Sequence, residues 1–148
     1  RPILHEDATC TTTWRIDQHY PDPRNADKYP GEEWMSIGVL TPIDFYPLPY
    51  RCFYSKDIPN MFMAGRNISV THIALGSTRV MRTCGLIGEV VGMAASICAK
   101  KKVSPRDIYT TYFEDLKELM RKGTGRTDVP YTQFYHQVDR TGHQAEDR

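Results

Sequence analysis

Residues 61–85 read MFMAGRNISVTHIALGSTRVMRTCG. The apolar run Met61–Ala64 lies between a turn, Lys56-Asp-Ile-Pro-Asn60, and Gly65. A short apolar run bounded by turn residues reads as a buried strand. A loop, 66–78, follows it. Apolar residues at Leu86, Ile87, Val90, Val91, Met93, Ala94 and Ile97 then predict a helix from Val80 or Arg82 to Lys101. They fall almost all round, so that helix is expected to be buried on more than one side. Cys84, Gly88, Gly92 and Ser96 put a small residue at every fourth position. A helical glycine costs about 1 kcal/mol relative to alanine, so this smooth face predicts a close backbone approach.

The junction between strand and helix has the chemistry of an anion cradle. Gly65 and Gly76 permit close backbone approach, Ser69, Thr71, Ser77 and Thr78 supply hydroxyls, and Arg66, Arg79 and Arg82 supply charge. The helix N-terminus adds unpaired N–H groups and a partial positive charge. The other reading is an ordinary strand–loop–helix turn with surface arginines. Neither GxGxxG nor GxxxxGK[ST] occurs in the chain, which excludes a complete dinucleotide fingerprint and a P-loop.

Upstream, Thr11–Ile16 (TTTWRI) is β-branched and aromatic and predicts a strand, with further short strands at Ser36–Leu40, Phe45–Leu48 and Arg51–Tyr54. Prolines 42, 47 and 49 exclude a helix there. Downstream, Ser104 as N-cap, Pro105 at the first position and Asp107 in a capping-box pattern open a last helix. Ile108, Tyr112, Leu116 and Leu119/Met120 share one face of it, and Gly123 stops it. The polar remainder, 124–148, reads as an extended tail.

The 148 residues suit one domain, and 40% hydrophobic content excludes wholesale disorder. A net charge of +1 does not favour a nucleic-acid partner. Four scattered cysteines form no CxxC and no disulfide scaffold, and no histidine has metal-ligand spacing, so no metal site is expected. The longest apolar stretch, Cys84–Ala99, contains Glu89 and is shorter than the roughly 20 residues of a bilayer span, so no span is expected. The chain starts at Arg1 without a signal segment, which suggests a processed protein or a piece of a longer one and leaves its compartment open.

Several spaced blocks carry a resemblance: Pro49-Tyr-Arg-Cys52, Lys56-Asp-Ile-Pro-Asn-Met-Phe-Met-Ala-Gly-Arg-Asn-Ile-Ser69, Thr71-His-Ile-Ala-Leu-Gly-Ser-Thr-Arg-Val-Met-Arg-Thr83 and Gly88-Glu-Val-Val-Gly-Met-Ala-Ala95. Over about residues 7 to 122 the chain resembles the C-terminal part of bacterial FAD-dependent oxidoreductases with the glutathione-reductase-like FAD fold. The resemblance implies an α/β fold, α+β in isolation: the C-terminal portion of a split, Rossmann-like FAD-binding domain. Residues 1–45 would end a substrate domain, 46–122 would belong to the FAD domain, and 123–148 would be a tail.

It implies FAD as cofactor, a small-molecule substrate, and hydride transfer to or from flavin N5. The glycine-rich N-terminal unit that holds the ADP part would be a missing partner segment, so the isolated chain is expected to be inactive. The implied cofactor-binding residues are Ala64, Gly65, Arg66, Asn67, Gly76, Ser77, Thr78, Val80, Met81 and Arg82. Arg66 stands where related enzymes often carry an acidic ribityl ligand. His72 and Arg79 are the implied catalytic residues. The alternative is a non-catalytic binding module derived from such an enzyme.

Overall fold

A computed structural model describes residues 3–12, 14–21, 23, 27, 30, 31 and 36–125. Strand β1 (Ala8–Thr12) pairs antiparallel with β4 (Tyr46–Pro49), with a bulge between Ala8 and Thr11. Strand β2 (Ile16–Pro21) pairs antiparallel with β3 (Ser36–Thr41) in unbroken register, from Ile16 opposite Thr41 to Pro21 opposite Ser36. The expected strand at Thr11–Ile16 is thus two strands with a bend at Trp14 between them. The chain changes sheet there because the two strands meet different surroundings. All five residues of β1 are buried, whereas β2 is half-buried and then exposed.

The expected strand at Arg51–Tyr54 is a 3₁₀ turn, Tyr50–Phe53. Asp7 causes it: its carbonyl accepts from Tyr50 N (2.8 Å) and its carboxylate from Arg51 N (3.0 Å), which draws the chain round after Pro49. One extended residue, Tyr54, is left to pair with Phe62. Met61–Ala64, expected as a buried strand, therefore makes a single bridge, flanked by Met63 N donating to Phe53 O (2.8 Å) and Ser55 N to Met61 O (3.0 Å). Phe62 and Met63 are half-buried, while Met61 and Ala64 are exposed.

Helix α1 (His72–Thr78) occupies the segment expected as loop, capped by Thr71, whose hydroxyl accepts from Ala74 N (3.3 Å). Helix α2 (Met81–Lys101) has the expected extent and ends on Lys102 in the left-handed region. It buries one side only, through Thr83, Ile87, Val90, Ala94 and Ile97. Gly85, Gly88 and Gly92 lie on the exposed side, and a Cβ built on any of them meets nothing within 4 Å. Among the described residues, the expectations of burial on more than one side and of close packing on the small-residue face are therefore corrected. β1, α3 (Pro105–Thr110), α4 (Phe113–Lys122) and the 3₁₀ turn Gly65–Asn67 all pack against this one helix. By length and composition α2 is also the one helix among the described residues able to cross a bilayer, but its inner side is part of the core.

The single last helix is two, α3 (Pro105–Thr110) and α4 (Phe113–Lys122). They break at a pair of β-branched threonines. Thr110 Oγ1 turns back to Arg106 O (3.4 Å) and Thr111 leaves helical geometry, which lets Ile108, Leu116 and Met120 all reach the core. Gly123, at φ 66°, ends α4 as expected. The expected tail beyond 125 lies outside the described residues. The core gathers Leu48, Tyr50, Phe53, Ile87, Val90, Ile108 and Leu116, with Tyr50 OH donating to Pro105 O (2.8 Å). Helices and small antiparallel sheets together make this the α+β form of the expected class.

The predicted capping box forms in full. Ser104 Oγ accepts from Asp107 N (3.4 Å), and Asp107 Oδ2 accepts from Ser104 N (2.8 Å) and Ser104 Oγ (2.8 Å). These bonds, the backbone one first, hold the Asp107 carboxyl below its ordinary range. A folded-state value below the unfolded one contributes stability that is present above the unfolded value and lost as pH falls through the folded one. Asp107→Asn is therefore expected to flatten the fall in thermal midpoint on acidification below about pH 4. An unchanged acid slope would remove this assignment.

Candidate functional site

The site is set by where α1 hands over to α2. Arg79 is the C-cap of α1 and Val80 the N-cap of α2. The first helical bond of α2 runs from Cys84 N to Val80 O (2.9 Å), so the amides of Met81, Arg82 and Thr83 precede the helical ladder. Together these residues form one side of a cleft of about 780 Å³ lined by Arg66, Arg79, Val80, Met81 and Arg82. Trp14 and Asp17 complete the lining. Five of the twelve residues singled out from the sequence are thereby brought together.

The electrostatics are one-sided. Asp17 is the cleft's carboxylate, and it is already engaged: it pairs with His19 Nε2 (3.0 Å) and with Arg79 Nη2 (3.6 Å), while its backbone carbonyl accepts from Arg79 Nη2 (3.1 Å). Arg66 and Arg82 have no acidic partner among the described residues. Arg66 also acts on Cys84 at the start of α2. Burial pushes that thiol up, and the arginine opposes the push without overcoming it. Cys84 Sγ donates to Thr78 O (3.6 Å). Cys52 and Cys98 are also raised by burial, and Cys10, wholly buried, is pushed up to about 12. All four cysteines are free thiols in an environment that keeps them protonated.

The other expected site residues lie elsewhere. Gly65 ends the extended segment at φ 77°, with open space round its Cβ position. Ala64 beside it is exposed, as is Asn67 in the turn that follows. Gly76, Ser77 and Thr78 are buried. Ser77 O accepts from Thr12 Oγ1 (2.8 Å), the Ser77 hydroxyl meets Tyr46 OH, and a Cβ on Gly76 would lie 2.8 Å from Asp17 O. These three residues join α1 to β1, β2 and β4. Thr78 Oγ1 is buried without a hydrogen-bond partner among the described residues.

His72 opens α1, exposed, with its ring 5.6 Å from that of Tyr20. It is not among the residues lining the arginine cleft. Its neighbours Thr71, Ile73 and Ala74 line a second cleft of about 670 Å³, with Ile16, Pro42, Ile43, Asp44 and Tyr46. Consecutive residues of β2 thus serve different clefts, Ile16 the one lined by Asp44 and Asp17 the one lined by the arginines.

Trp14 and Asp17 were not legible as site residues. They precede the arginines by at least 49 positions, and only the fold of the β2–β3 ribbon onto α1 brings them in. Among the described residues no cluster of three or more metal-ligating side chains occurs.

The model of the FAD dependent oxidoreductase family matches residues 4–120, and the chain belongs to that family, whose cofactor is FAD. No curated protein and no solved structure matches the chain. The residues present fit such a cofactor. The amides that precede the helical ladder of α2, and two guanidiniums without an acidic partner among the described residues, form a donor set suited to a ring system that gains negative charge on reduction.

Proposed function

We propose that this chain supplies the flavin-facing, C-terminal part of a split FAD-binding domain of glutathione-reductase-like type, in an oxidoreductase acting on a small molecule. The observation that carries the proposal is the convergence of Arg66, Arg79, Arg82 and the α2 N-terminus on one cleft. FAD, when bound, supplies a two-electron carrier. The amides of Met81 and Arg82 would stabilise negative charge on its pyrimidine edge, and Arg66 would serve its ribityl or phosphate part. Gly65 lets the preceding segment turn without a side chain in the way. Gly76, Ser77 and Thr78 act from behind by seating α1. Arg79, held from Asp17, would polarise the substrate, and His72 would move a proton from the neighbouring rim. A glycine-rich unit for the ADP half does not occur in these 148 residues, so a further segment would provide it.

A titration of FAD with the purified chain, followed by flavin fluorescence, tests this. Saturable quenching is expected. Gly65→Leu, which forces a branched side chain into φ 77°, should weaken it about tenfold. Arg79→Ala should leave FAD affinity within about twofold, because its role is toward substrate. Absence of saturable quenching by the parent chain, or equal loss in both variants, would overturn the division of roles.

A further inference from the structure

The arginine cleft contains one side chain that the flavin reading leaves without a task, Trp14 at the bend before β2, and beside it Asp17 on β2, which holds Arg79. Asp17 fixes Arg79 through a single nitrogen: Nη2 donates to the Asp17 carbonyl (3.1 Å) and lies 3.6 Å from its carboxylate. Among the described residues the Nη1 and Nε donors of Arg79 bond to nothing. A guanidinium tethered by one corner, with its remaining donors directed by that tether, is prepared for a planar oxyanion group. With Asp17 already taken up by Arg79 and His19, Arg66 and Arg82 leave the cleft with excess positive charge. Trp14, 46% exposed, adds a broad apolar ring to the same lining.

The geometry points to a substrate class: a small carboxylate with a flat, unsaturated or aromatic body, its carboxylate on Arg79 and its body on the Trp14 indole. This rests on the flavin reading of the cleft, which makes the bound molecule a substrate. Asp17 is a positioning residue, since it acts through Arg79.

The chain has two tryptophans, so Trp34→Phe leaves Trp14 as the sole reporter. Titrating that variant with benzoate should quench its fluorescence saturably, while benzamide, of the same shape without the charge, should bind at least about tenfold more weakly. Adding Arg79→Gln should weaken benzoate about tenfold, and Arg79→Lys, a single-point donor, should recover only part of that. Asp17→Asn should lower the preference for benzoate over benzamide, a ratio that a general loosening of the fold would not change. Far-UV circular dichroism on each variant shows that it is folded.

Equal affinity for benzoate and benzamide, or tighter binding of phenyl phosphate than of benzoate, would overturn the carboxylate assignment. An Arg79→Gln variant that is folded and binds benzoate as the parent does would overturn it too. FAD titrations on the same samples separate the two readings. Benzoate binding without FAD binding upholds the carboxylate site and rejects flavin binding by this chain unaided, whereas FAD binding with no benzoate selectivity upholds the flavin reading and rejects the carboxylate site.

Discussion

Arg51→Ala is expected to lower the stability of the chain by about 3 kcal/mol, read as a shift in the urea unfolding midpoint. Asp7 is fully buried, and Arg51 meets its carboxylate with two parallel bonds, Nε to Oδ2 (2.9 Å) and Nη2 to Oδ1 (3.0 Å), and with its own backbone N–H (3.0 Å). The guanidinium also lies 4.8 Å from the centre of the Tyr109 ring, and Tyr109 OH donates to Glu6 Oε1 (2.6 Å). The cluster thus ties the segment before β1 to the turn after β4 and to α3.

Removing the arginine leaves a buried carboxylate with one amide, and that uncompensated charge dominates the cost. Arg51 is itself 44% exposed, so water entering the gap keeps the loss at the lower end of the range for buried pairs. Arg51→Lys should keep the charge and lose the fork, with an intermediate midpoint. Adding Asp7→Leu to Arg51→Ala should restore part of the loss by removing the orphaned charge. A midpoint for Arg51→Ala within about 0.5 kcal/mol of the parent would show that the pair is of the inexpensive surface kind.

The second large effect is expected at Gly76. A Cβ there would lie 2.8 Å from Asp17 O, 3.1 Å from Asp17 N and 3.2 Å from Ile16 Cγ2. Two of those atoms are backbone of a paired strand and cannot rotate away, so Gly76→Val must push α1 off β2. A cost of about 2–3 kcal/mol is expected from overpacking, together with loss of the Arg79 Nη2 bond to Asp17 O and hence of benzoate selectivity. Gly88→Ala is the matched comparison. Nothing lies within 4 Å of its Cβ position, and the helix gains about 0.5–1 kcal/mol from the better helix former. Thermal midpoints that move down for Gly76→Val and up for Gly88→Ala establish that α1 is pressed against β2 and that the outer side of α2 is open. A Gly76→Val protein as stable as the parent would contradict the contact.

What could be read from residues alone was what depends on near neighbours. Ser104, Pro105 and Asp107 lie within one helical turn, so their capping box was visible as a string and forms as expected. The extent of α2 was legible because 21 residues of helix carry their own periodicity. Met61–Ala64 failed for the opposite reason. A strand needs a partner of matching length, and the candidate partner was bent into a 3₁₀ turn by Asp7, more than forty positions away. The arginines of the site were legible as a local cluster of charge. Trp14 and Asp17 were not, since their place depends on the change of sheet at the bend. The glycine spacing of α2 indicated a smooth face correctly but carried no information about what covers it.

Strand β2 partitions two differently charged spaces, with Ile16 in the cleft that holds Asp44 and Asp17 in the one that holds three arginines. Its side chains alternate, so its register against β3 acts as a selector of cleft chemistry. An insertion or deletion between 22 and 35 leaves the pairing of Ile16 with Thr41 untouched. One added or lost residue inside Ile16–Pro21 would exchange the linings, sending a second carboxylate to the cleft of Asp44 and an aliphatic group to the arginines. Length variation in related chains should therefore accumulate in the connection and be purged from the strand.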